Sequence, residues 1–65
     1  MKNKNNYNNL LGKDVKVTLD NGVNLYGILE DYIQVESTDN EIYINSKGNI
    51  IGILESRISY IVENV

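Results

Sequence analysis

Few side chains here could do chemistry, and their types exclude more than they suggest. Histidine and cysteine are both absent from the 65 residues, leaving nine Asp and Glu, six Lys and Arg, five Tyr and scattered hydroxyls. Without an imidazole or a thiolate, a hydrolase would need a Ser-Lys pair or two carboxylates sharing a site. Ser46-Lys47 supplies such a pair, yet it sits in "SKGN", where polar residues and Gly serve the backbone of a turn. The acids fall on the solvent parities of alternating segments and read as a soluble surface. "DNGVN" (20–24) imitates a calcium loop only superficially, since its Gly stands third rather than sixth and no Glu closes a loop of the right length. Neither an enzyme, a metal site nor a cofactor is expected.

Tyr26, Tyr32, Tyr43 and Tyr60 could stack on nucleobases, which single-stranded readers need. Tyrosine also suits half-buried strands and subunit contacts, and that is the reading the alternation favours.

The elements that would position these groups follow from periodicity. Tyr7, Leu10 and Leu11 share i, i+3, i+4 spacing with Gly12 behind them, which predicts a helical turn or two over about 6–11. Val15, Val17 and Leu19 then alternate with polar residues as a half-buried strand. Asn21-Gly22 predicts a two-residue type I′ hairpin. The second strand is long: Val23, Leu25, Gly27, Leu29, Ile33 and Val35 share one parity, which Asp31 interrupts, so a bend or bulge is expected near Gly27 or Asp31. "STDN" (37–40) is a turn and "EIYIN" (41–45) a strand. After "SKGN", the run "IIGIL" (50–54) is apolar on both faces and should lie centrally or be covered on both sides. "ESR" (55–57) breaks the chain before a last strand, "ISYIV" (58–62). The fold class is therefore all-β with a short N-terminal helix. Five antiparallel strands with a bent second strand suggest a small closed, SH3-like barrel.

That order, and "LLGKDVKVTLDNGVNLYGILEDY" (10–32), resemble the Sm/LSm family, including its bacterial Hfq-like branch. The likeness lies in a Leu-Gly-Lys helix end, alternating Val positions, Asn-Gly, a Gly five residues after the turn Gly, and an aromatic soon after. "ISYIV" echoes the family's ending. The resemblance implies a five-stranded bent barrel of Sm type, a ring of six or seven copies, and single-stranded, U-rich RNA as ligand.

By the same resemblance, the RNA-contacting loop is "ESTDN" (36–40), with Glu36 in the family's Asp place and Asn40 in its base-reading Asn place, beside Asp39. Tyr43 and Arg57 complete the RNA-binding set that the resemblance implies. Two departures weaken it. The loop holds no stacking aromatic or Arg, and Leu54, Glu55 and Ser56 occupy the place where the family puts a cation. A ring of Glu55 carboxylates would repel phosphate. Arg57 could substitute for the missing cation or pair with Glu55. A structural or partner-binding module of the same fold, without RNA binding, is the alternative.

Charge placement bears on both readings. Residues 1–9, a polar tail running into the helix and expected to fray, hold two lysines and no acid. Residues 10–65, the barrel domain, hold four basic and nine acidic groups, which argues against a general polyanion binder. A chain this short buries only about 60% of its unfolded surface, so without disulfides or metal a homo-oligomer is expected. No segment reads as a signal peptide or membrane span, and the lack of Cys suits a reducing cytoplasm.

Overall fold

The computed structural model describes residues 7–34 and 39–65. One helical turn, α1 (Tyr7–Leu10), precedes five strands: β1 (Asp14–Leu19), β2 (Asn24–Ile33), β3 (Glu41–Ser46), β4 (Asn49–Leu54) and β5 (Ile58–Glu63). A 3-10 turn, Glu55–Arg57, separates the last two. The strands form one antiparallel sheet in the order β4-β3-β2-β1-β5. Gly12, with φ of 81°, ends the helical turn as its sequence position suggests.

The sheet is not closed. Among the described residues no ladder joins β4 to β5, so these two strands are its edges. This corrects the expected closure. It also corrects the expectation for "IIGIL": β4 is an edge strand, with Ile50 58% and Leu54 43% exposed on the outer face while Ile53 is buried.

Seven strand residues, Val15, Val17, Leu29, Ile42, Ile44, Ile53 and Ile61, are buried on one face together with Tyr7 of α1. A flat sheet under a single helical turn would leave most of that face wet. Five of these side chains have no exposed surface at all, so the strands must curl over one another. Two local devices produce the curl. Gly27 lets β3 approach: a Cβ there would lie 2.6 Å from the Asn45 carbonyl oxygen. Two residues on, the β2–β3 register runs Leu29 with Ile44 and then Asp31 with Tyr43, skipping Glu30. That bulge also resolves the parity conflict of the sequence. It turns Tyr32 toward the core and leaves Ile33 exposed.

The turns correct the hairpin expectation. Gly22 has φ of 89°, but Asn21 does not have positive φ. Gly22 N–H donates to Leu19 O (3.0 Å) and Leu19 N–H to Val23 O (2.8 Å). This is a three-residue loop, Asp20-Asn21-Gly22, with one left-handed residue at its end. Asn21 Oδ1 accepts from Val23 N (3.1 Å), an Asx turn that makes the wider loop self-sufficient. The tight two-residue turn with both φ positive lies instead at Lys47-Gly48 (55° and 91°), between the paired Ser46 and Asn49. Asn45 Oδ1 supports it by accepting from Gly48 N at 2.8 Å.

Candidate functional site

Asn40, just before β3, and Glu55, just after β4, come together because the two strands are paired up to Glu41 and Leu54. The ladder's last bond runs from Glu55 N–H to Asn40 O (2.8 Å). Beyond it the side chains meet, with Asn40 Nδ2 donating to Glu55 Oε1 at 2.8 Å. Tyr32 joins them through its hydroxyl, 3.3 Å from Asn40 Nδ2 and 3.4 Å from Glu55 Oε1. The Tyr32 ring in turn lies against Tyr7, centroids 4.4 Å apart and tilted by 36°. The three polar side chains are half-buried, so their bonds are less screened than surface contacts.

The remaining groups point elsewhere or are already engaged. Asp39 accepts from Ser56 N–H at 3.2 and 3.3 Å to its two oxygens. Arg57 pairs with Asp20 of the β1–β2 loop, Nε to Oδ1 at 3.3 Å, rather than with Glu55. Asp20 N–H also donates to Arg57 O (2.8 Å), so backbone and side chain fix the same juxtaposition. Both partners are about half exposed, and the pair is screened accordingly.

Tyr43 belongs to the opposite face of β3 from buried Ile42 and Ile44. Its ring lies over Gly52 of β4, where a Cβ would be 3.0 Å from Tyr43 Cε2. The Tyr43 hydroxyl donates to Glu41 Oε1 at 2.7 Å. That bond holds the phenol pKa above its ordinary value, aided by desolvation and by the charges of Glu41 and Asp31.

Of the expected site residues, Asn40, Asp39 and Arg57 therefore lie around the Glu55–Arg57 turn, Tyr43 does not join them, and Glu36 lies outside the described residues. Four donors at this turn are directed at carboxylates: Asn40 Nδ2 and Tyr32 Oη at Glu55, Ser56 N at Asp39, Arg57 Nε at Asp20. The site as built offers acceptors. Phosphate oxygens and a uracil carbonyl need the reverse.

Comparison with models of protein families, with curated proteins and with solved structures finds no match for this chain. The site is thus read on its own chemistry. Among the described residues no three carboxylates converge as a metal site would require, and no helix is long and apolar enough to cross a membrane. Sequence reasoning missed Tyr32 as the residue joining α1 to this site. Its signal was the parity break at Asp31, which places Tyr32 inward only if the bulge falls before it.

Proposed function

We propose that this chain is an Sm-type module, built on one strongly curled open sheet, that assembles into a homo-oligomeric ring of six or seven copies, acts in the cytoplasm on protein partners, and keeps its RNA-reading position closed. The observation that carries this reading is the 2.8 Å bond from Asn40 to Glu55. The amide that the family resemblance would assign to a uracil edge is satisfied within the chain by a carboxylate. Two further features agree with assembly. The sheet has two unladdered edges among the described residues, and each carries exposed apolar side chains: Ile50 and Leu54 on β4, Tyr60 and Val62 on β5. No charged residue occurs along β4 to repel a neighbouring strand.

A second reading, weak binding of single-stranded U-rich RNA, is favoured by one observation. Asn40 and Glu55, the first residue of the last turn, do adjoin, as a base-reading pair would. Fluorescence anisotropy with oligo-U and oligo-A at low and moderate salt decides between the two. No binding by wild type, with an oligomer in sedimentation equilibrium, supports the closed module. Salt-sensitive oligo-U binding by wild type supports the RNA reading, and a folded monomer at micromolar concentration overturns the assembly.

A further inference from the structure

The Asn-Gly pair has no part in the proposed function, yet it is the chain's only Asn followed by Gly among eleven Asn. We propose that Asn21 is a self-modifying site, converting to aspartate and isoaspartate by intramolecular cyclisation and thereby ageing the β1–β2 loop. The chemistry needs an unhindered backbone nitrogen after Asn, a polarised carboxamide and room for a five-membered ring. The loop supplies them once Gly22 N–H gives up its 3.0 Å bond to Leu19 O, which must open before the nitrogen can attack. Asn21 and Gly22 are exposed, and a Cβ at Gly22 would meet nothing within 4 Å, so no neighbouring side chain crowds the attacking residue. Val23 N–H donates to Asn21 Oδ1 at 3.1 Å and draws electron density from the carboxamide carbon.

In the reaction the Gly22 nitrogen, having lost its proton to base, attacks Asn21 Cγ. A C–N bond forms, the Cγ–Nδ2 bond breaks, and the amide nitrogen leaves as ammonia. Water then opens the succinimide at either carbonyl. One opening yields aspartate with the original backbone; the other yields isoaspartate, whose backbone runs through the former side chain and is one methylene longer. No oxidant, metal or cofactor takes part.

The second product has structural reach. The loop is closed by Gly22 N to Leu19 O and Leu19 N to Val23 O. Between those bonds sits Asp20, which clamps Arg57 by both side chain and backbone N–H. A longer loop cannot keep that spacing, so isoaspartate releases the Asp20–Arg57 clamp at the end of the Glu55–Arg57 turn. Aspartate at the same position adds only charge. The site therefore acts as a one-way switch on the turn that bears Glu55.

The test incubates the full chain, native and in urea, at mildly alkaline pH and 37 °C. Peptide mass spectrometry locates the amide-to-acid exchange, and isoaspartyl methyltransferase labelling separates the isomers. The expected result is conversion at Asn21 before any other Asn, at a native rate within several-fold of the unfolded rate, and several-fold slower in Gly22→Ala. An intact Asn21 in the native sample after the urea sample has converted overturns the proposal, as does earlier conversion elsewhere. Hydrogen exchange at the Asp20 amide then reads the switch: faster in the isoaspartyl form than in Asn21→Asp supports it, and equal rates overturn it.

Discussion

Asn40 Nδ2 and Glu55 Oε1 stand 2.8 Å apart, and this bond faces a base-reading amide toward a carboxylate. The prediction is that Glu55→Lys confers or strengthens oligo-U binding. The salt slope should steepen by about 0.7 per phosphate neutralised on a single strand. Asn40→Ala in that background should reduce uracil preference more than affinity, because base edges carry specificity and charge does not. Anisotropy titrations across salt concentrations check both. If Glu55→Lys binds no better than wild type, Glu55 is not what closes the site.

Assembly through the edges is tested on the outer face. Ile50→Lys places a charge where Ile50 is 58% exposed on β4 and touches no core, so the fold should persist while the oligomer dissociates. Sedimentation velocity with circular dichroism reads the two separately. An unchanged sedimentation coefficient would remove β4 from the interface.

The two turns should respond in opposite senses. Gly22→Val forces a β-branched residue to φ of 89° and should destabilise by roughly 1 kcal/mol or more. Lys47 already occupies φ of 55° in a two-residue turn, and Lys47→Asn should stabilise by about 0.5–1 kcal/mol, since Asn tolerates that conformation better. Urea midpoints check both.

Gly27→Ala tests the source of the curl. Its Cβ would sit 2.6 Å from the Asn45 carbonyl oxygen, a backbone atom that cannot swing away, and a loss of roughly 1–3 kcal/mol is expected. A neutral result would mean that β3 can retreat without disturbing Ile42 and Ile44.

Tyr43 predicts an alkaline effect. Its folded pKa is raised because the neutral hydroxyl donates to Glu41, so the unfolded chain releases that proton first. The contribution is fully present below the unfolded value near 10 and is lost as pH rises through the folded pKa. Stability of wild type should therefore fall more steeply above pH 10 than that of Tyr43→Phe, as denaturation midpoints across that range would show.

Much of the fold was legible because alternation reports a half-buried sheet directly: β1 and β3 read from the pattern of Val15, Val17, Ile42 and Ile44. The bulge was legible as a conflict, since Asp31 cannot share the apolar parity. What failed was whatever depends on neighbours. Apolar residues on both faces of β4 signal burial, but they do not say whether the chain itself supplies the cover. Asn-Gly was read as a tight turn, whereas strand pairing selected the three-residue loop and left the tight turn to Lys47-Gly48, a weaker sequence signal. At the site, the family resemblance pointed to Asn40 and Glu55 separately, and the β3–β4 ladder ending at Glu41 and Leu54 is what brings them together. The partner of Arg57 did not, because Asp20 lies 37 residues away.

The skipped residue in β2 gives this protein an asymmetric tolerance to genetic change. Glu30 is exposed, is skipped in the register with β3, and makes only an exposed 3.3 Å bond from Asn45 Nδ2, so many replacements there should cost little. Its deletion would be a different event. Asp31, Tyr32 and Ile33 would exchange inside for outside, sending Ile33 into the core and Tyr32, with its hold on Tyr7, Asn40 and Glu55, out to water. In that strand the reading frame of the side chains is guarded by length rather than by identity, and related chains should vary at this position while keeping its count.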